Sequence, residues 1–268
     1  MNSLQVNGIS LGYDDRGPAD GLPVVLVHGH PFNRSMWDHQ AAALTRAGHR
    51  VITADLRGYG ASEVVPGTTL FSVFAQDTAA LLDRLGVERA VIGGLSMGGQ
   101  ITMEFNRLFP ERVRALILAD TSPAPETHEG KAFRNALADR LLAEGIGGYA
   151  DEVIDKMVAP YNVTGLPDVA RHVLAMMRAT SPEGAAAALR GRAERPDYRP
   201  SLAAAQVPAL VVVGVDDTYT PVAEARALHA LLPDATLAIV EGAAHMPNLE
   251  RPADFDAAVL DFLGRVAP

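Results

Sequence analysis

A serine set among glycines, Gly93-Gly94-Leu95-Ser96-Met97-Gly98-Gly99, is the segment of this chain best suited to chemistry. The apolar run at residues 90–92 leads into it, and Ile101, Phe105 and Leu108 then recur at helical spacing until Pro110. A serine between a strand and a helix sits on a tight, strained corner, and such strain persists where the surroundings over-determine it. Gly94 and Gly98 suit that corner because no Cβ fits beside the neighbouring strand and helix. The chemistry implied is nucleophilic attack by the Ser96 hydroxyl on a carbonyl carbon. Two other glycine-rich readings fail. No Gly-Lys-[Ser/Thr] follows, as a phosphate loop needs, and the Gly-x-Gly-x-x-Gly of a dinucleotide site is missing.

A serine hydroxyl needs a base, usually an imidazole oriented by a carboxylate. Of the eight histidines, His39, His172 and His229 lie within helical patterns, His49 follows a helix stop, and His128 has no surrounding motif. His245 stands apart, in a loop after the last strand-like run, so it is the expected base. The orienting acid should lie in another loop after a strand. Asp217 is chosen from Gly214-Val215-Asp216-Asp217, with Asp216 expected to bond loop backbone and Asp120 a weaker third choice. Negative charge developing on the carbonyl oxygen needs fixed N–H donors. One is expected from Met97 at a helix N-terminus. The other must come from His28-Gly29-His30-Pro31-Phe32. Pro31 has no N–H, so His30 or Phe32 supplies it, and His30 is favoured. His28 is expected to bond loop backbone. A zinc site on His28 and His30 finds no further ligand set, and neither metal nor cofactor is expected.

These residues are spread over most of the chain, so a parallel sheet must gather them. Strand-like runs at residues 4–6 and 9–13 flank Asn7-Gly8, a hairpin signal. Further runs lie at 24–27, 51–54, 91–92, 116–119, 210–213 and 237–240. Helical patterns at 36–47, 71–85, 100–109, 222–232 and 255–266 intervene or follow. Such alternation predicts an α/β fold: a mostly parallel, eight-stranded sheet with helices on both faces and ligands beyond the carboxyl ends of the strands. The rhythm breaks at 123–200, an alanine-rich helical stretch interrupted by Pro160, Pro167, Pro182 and Pro196. This is read as a helical cap inserted after the sixth strand, with the core formed by 1–122 and 201–268. Apolar cap residues are core contacts by default. Met157, Tyr161 and Met176, with Phe32 and Met246 from strand-end loops, are the side chains expected to line a substrate pocket.

The composition narrows the partners. The chain has 268 residues, 48% hydrophobic, a formal charge of −9 and no cysteine. The charge and the lack of Lys/Arg clusters argue against nucleic acid and anionic membranes. Without cysteine there are no disulfides and no thiolate sites. The first residues lack a secretory pattern and no apolar stretch approaches a membrane span, so a cytoplasmic protein is expected.

Five segments together resemble the α/β-hydrolase superfamily: His28-Gly29-His30-Pro31, Asp55-Leu56-Arg57-Gly58-Tyr59-Gly60-Ala61-Ser62, the Ser96 corner, Gly214-Val215-Asp216-Asp217, and Gly242-Ala243-Ala244-His245 with Met246-Pro247-Asn248-Leu249-Glu250-Arg251-Pro252. The order Ser96, Asp217, His245 is the order of that family's triad. The resemblance places the acid at the fourth residue of the Gly-x-x-Asp loop, which supports Asp217. Ser96 excludes the haloalkane dehalogenases and epoxide hydrolases, which carry aspartate there. The missing Gly-Pro-Gly stretch removes the carbon–carbon bond hydrolases. Size and cap are similar to 3-oxoadipate enol-lactonases and small esterases, while the His-Gly-x-Pro loop is closer to cofactor-free perhydrolases. The resemblance therefore implies a cofactor-independent serine hydrolase of a small carboxylic ester or lactone. The alternatives are a perhydrolase, or a ligand receptor on the same fold.

Overall fold

The computed structural model describes residues 2–266, so residues 1, 267 and 268 of the expected core lie outside the described residues. Eight strands form one sheet in the order β1-β2-β4-β3-β5-β6-β7-β8. They are β1 (Asn2–Val6), β2 (Ile9–Arg16), β3 (Pro23–Val27), β4 (Arg50–Ala54), β5 (Ala90–Leu95), β6 (Val113–Ala119), β7 (Ala209–Gly214) and β8 (Ala235–Val240). The β1–β2 and β2–β4 pairs are antiparallel and the other five are parallel. Asn7 and Gly8 turn the first hairpin with φ of 44° and 80°, the left-handed backbone that this dipeptide tolerates.

Each central strand is apolar on both faces because helices cover both. Val25 and Val27 of β3 join Ile92, Leu118 and Val211 on one face. There they meet α2 (Phe71–Arg84), α3 (Met97–Leu108) and α10 (Val222–Leu231). Val24 and Leu26 join Val91, Ile117 and Val212 on the other, against α1 (Asp38–Arg46) and α12 (Pro252–Leu263). β5 is longer than the 91–92 run because Gly93 and Gly94 read as turn residues. They are strand residues here, where tight packing needs them: a Cβ on Gly93 would lie 3.0 Å from Ile117 Cβ.

Between β6 and β7 the described chain is helical: α4 (His128–Glu144), α5 (Gly147–Met157), α6 (Pro160–Gly165), α7 (Pro167–Ala179), α8 (Pro182–Ala193) and α9 (Arg199–Ala203). Pro160, Pro167 and Pro182 do not interrupt helices but start them, where the missing N–H costs nothing. Leu137 and Leu141 of α4 pack against Ala185, Ala186 and Leu189 of α8. Glycines bring α8 onto the sheet layer. A Cβ on Gly184 would sit 1.9 Å from the Gly58 carbonyl oxygen, and one on Gly191 would sit 1.7 Å from that of Thr69. The Thr69 N–H donates to Ala187 O across the same seam at 3.0 Å. A short α11 (Pro247–Glu250) completes the element order before α12.

Candidate active site

Ser96 stands alone between β5 and α3 with φ 57° and ψ −117°, a backbone state rare outside glycine. Hydrogen bonds on both sides hold it there. Its N–H donates to Ala119 O at 2.9 Å, and its carbonyl accepts from Thr121 Oγ1 at 2.8 Å and from Gln100 N–H at 3.1 Å. The glycines make the corner sterically possible. A Cβ on Gly94 would lie 2.3 Å from the Gly98 carbonyl carbon, and one on Gly98 would lie 2.2 Å from Val27 O. Backbone carbonyls cannot yield as a flexible side chain can. Gly98→Ala should therefore lose about 1–3 kcal/mol of stability by overpacking, seen as a lower thermal midpoint. Gly148→Ala on α5, with open space around it, is the control. Equal midpoints for the two variants would refute the packing account.

The loop after β7 carries Asp217, which accepts from Tyr219 N–H at 2.8 Å and from Thr220 Oγ1 at 2.5 Å. After β8, the loop with His245 is pinned through Glu250. That buried carboxylate accepts from Ala244 N–H at 2.9 Å, Ala159 N–H at 2.8 Å and Asn162 Nδ2 at 2.7 Å. Gly214 lets the two loops touch, since a Cβ there would lie 1.9 Å from Ala244 O. The result is a buried contact of 2.9 Å between His245 Nδ1 and Asp217 Oδ2. An ionised carboxylate only accepts, so Nδ1 carries the proton and Nε2 is the ring's free acceptor. Tyr219 stands edge-on against the imidazole, ring centroids 5.0 Å apart.

Two carboxyls near this imidazole are shifted in opposite directions. Burial raises the Asp217 pKa, but the charge and hydrogen bond of His245, with the Thr220 and Tyr219 donors, outweigh it and hold the group at about 2. Asp120, which ends β6 with φ 45°, goes the other way. Burial, then the charge of Asp217, pushes its pKa well up, although Gly214 N–H donates to it at 2.9 Å. The charged form of Asp120 is thus disfavoured, beside a carboxyl held ionised. Asp216 departs from the sequence reading: its own N–H bonds Ala243 O at 3.0 Å, but its carboxylate accepts from Tyr161 Oη on α6 at 2.5 Å instead of from loop backbone.

In the loop after β3, His28 Nδ1 donates to Gly29 O at 2.8 Å and Nε2 accepts from Leu56 N–H at 2.9 Å, so both ring nitrogens serve backbone. Phe32 N–H donates to Gly29 O at 3.1 Å. That commits one of the two amides considered and leaves the His30 N–H. Met97 opens α3, where an N–H has no acceptor in the preceding turn. His30 Nδ1 meets Tyr59 Oη at 2.8 Å, while its Nε2 is buried with no partner among the described residues. Burial first, then the charges of Arg192 and Arg134, hold this imidazole well below its ordinary pKa, hence neutral.

Ser96, His245 and His30 border one cavity of about 560 Å³ beneath α4, α5 and α8. Of the five side chains expected to line it, Met157 does. Phe32, Met176 and Met246 are buried in the core cluster against α1 and α12, and Tyr161 is 52% exposed, tied to Asp216. The reason is physical: apolar periodicity marks the faces that pack together, and the cavity receives the side chains left over. Those include the polar Arg134, Tyr149 and Arg192 beside the apolar Phe133, Leu137 and Val153, none of which stood out in the sequence. Arg192 lies in the alanine-rich helix α8, which also carries Glu183, Leu189 and Arg190, so the sequence did not set it apart.

The family model for the alpha/beta hydrolase fold matches residues 23–252. The chain is 31% identical to 3-oxoadipate enol-lactonase 2 of Acinetobacter baylyi, over 96% of this chain and 94% of that one. It is 32% identical to a non-heme chloroperoxidase of Streptomyces lividans, over 89% of this chain and 90% of that one. Among solved structures, a thermophilic esterase from Thermogutta terrifontis, crystallised with malate, superposes with a TM-score of 0.97 at 36% identity, each chain covered in full. Sheet order, strained serine corner and family match agree, and the protein belongs to the α/β-hydrolase fold family.

Proposed function

We propose that this protein is a serine hydrolase of small carboxylic esters or lactones working through an acyl-enzyme. Its family and its esterase and enol-lactonase relatives make it a carboxylic ester hydrolase. The observation that carries the finer reading is the buried His245–Asp217 contact of 2.9 Å at a cavity that Ser96 also borders.

In this reading His245 Nε2 takes the hydroxyl proton as Ser96 Oγ bonds to the carbonyl carbon. The oxyanion that forms is held by the N–H groups of Met97 and His30. The imidazolium returns the proton to the departing alkoxide, leaving Ser96 acylated. Water then attacks, His245 again takes the proton, and collapse releases the acid and the free serine. Asp217 stays ionised throughout, which its hydrogen bonds favour, and steadies the imidazolium. The helices over residues 123–200 act as the cap that closes the cavity and shapes what enters. The substrate is a small molecule and no cofactor is needed.

The test is an alkyl-phosphonate probe with peptide mass mapping, run beside a panel of short p-nitrophenyl esters. Covalent labelling at Ser96 with ester turnover is the expected result. An unlabelled Ser96 and no turnover would favour a receptor. A second reading, perhydrolysis, is favoured by the chloroperoxidase relative. It uses the same triad with hydrogen peroxide replacing water, and peracid formation from acetate and peroxide would reveal it.

A further inference from the structure

The cavity is cationic in a protein whose formal charge is −9. Five basic side chains border it, Arg134, Arg140, Lys156, Arg192 and Arg195, against three acids, Asp120, Glu126 and Glu152. Most of the bases are accounted for. Arg134 and Arg195 share Glu126 at 2.7 and 2.5 Å, Arg140 pairs with Glu152, and Lys156 lies exposed. Burial and the neighbouring Asp217 disfavour the charged form of Asp120.

Arg192 differs: the charge of Glu126 favours its cationic form but does not pair with it. It forms no ion pair among the described residues, and its Nε is buried without a hydrogen-bond partner. What surface it keeps borders the cavity. Burial, then the like charges of Arg134 and Arg195, disfavours its cationic form. Arginine does not give up its proton in proteins, so a counter-charge is what this site lacks. The backbone that carries this side chain is held close to its neighbour. It sits at the C-terminal end of α8, one residue beyond Gly191, whose backbone is pressed against Thr69 O. A partly buried, unpaired cation costs stability, and its planar fork is suited to two oxygens of a carboxylate. The neutral His30, with Nε2 unpartnered on the same cavity wall, offers a polar contact that adds no charge.

We infer that the substrate is an acidic ester or lactone, whose free carboxylate docks on Arg192, with Arg134 beside it, while its carbonyl lies at Ser96. This deepens the hydrolase reading and rests on it. The order of groups follows from the fold: Ser96 and His245 are at the strand ends, whereas Arg134 and Arg192 descend from α4 and α8.

The test compares two p-nitrophenyl esters of similar size, mono-p-nitrophenyl glutarate and p-nitrophenyl hexanoate. The wild type should prefer the glutarate ester by about 100-fold in kcat/KM, the order expected for a charge-assisted bidentate contact. Arg192→Met should bring the ratio near one, and Arg192→Lys should restore part of it. Equal or reversed preference in the wild type, or a ratio unmoved by Arg192→Met, overturns the proposal. Binding is measured separately by calorimetry on Ser96→Ala protein, with glutarate against glutaramide. Glutarate binding that disappears in the Ser96→Ala, Arg192→Met double variant supports the anion site even if no ester is turned over, and in that case the hydrolase reading alone fails. No preference for glutarate over glutaramide sinks the anion site while leaving esterase activity intact. Thermal melts of each variant establish that it is folded.

Discussion

Ser96→Ala should lower kcat for any ester this protein hydrolyses by about 10⁶-fold, leaving KM within a few-fold. The size follows from the division of labour. Without the hydroxyl no acyl-enzyme forms, and the imidazole and carboxylate have nothing to activate. What survives is binding and the oxyanion donors, which by themselves support slow attack by water. The variant should remain folded, since serine and alanine differ by one oxygen. The corner is set by Ala119 O, Thr121 and the glycines around it rather than by the serine side chain. Steady-state assays with active-site titration make the measurement. Undiminished turnover would rule out covalent catalysis through Ser96.

Three aspartates compete for one role, and Asp217→Asn should separate them by about 10⁴-fold in kcat. An asparagine amide can donate to His245 Nδ1, which moves the ring proton to Nε2 and leaves no base facing the serine. Asp120→Asn should change kcat only a few-fold. Asparagine carries no charge, which enclosure beside Asp217 favours, and keeps an oxygen for the Gly214 N–H. Asp216→Asn should likewise matter little, because its carboxylate faces Tyr161. A larger loss for Asp120→Asn than for Asp217→Asn would reassign the acid.

The same carboxyls predict opposite effects of pH on stability. The folded-state pKa of Asp217 lies below its ordinary 3.8. Its contribution is therefore full above about pH 4 and lost as pH falls through about 2. The folded-state pKa of Asp120 lies well above 3.8, so its contribution is full below about pH 4 and declines as pH rises through the higher folded value. Urea denaturation from pH 2 to pH 9 should show the acid limb missing in Asp217→Asn and the alkaline decline reduced in Asp120→Asn. Parallel curves for wild type and both variants would contradict these assignments.

The chain alone determined the sheet and the residues at its strand ends. Eight apolar runs became the eight strands, and three loops after parallel strands hold Ser96, Asp217 and His245. That much is readable because burial on both faces imposes continuous apolar runs, and because strained or crowded corners admit few residue types. The cavity was decided by tertiary structure. Periodicity identifies which face of a helix packs, so it marked Met176, which is core. It cannot tell which polar side chains are enclosed when α4 and α8 close over the strand ends. Arg192 and Arg195 sit close together in the chain and both border the cavity, but Arg195 pairs with Glu126 while Arg192 has no ion pair among the described residues. Likewise, Asp120 and Asp217 are the same residue type. Only their surroundings, one rich in donors and the other enclosed beside a like charge, shift one pKa down and the other up.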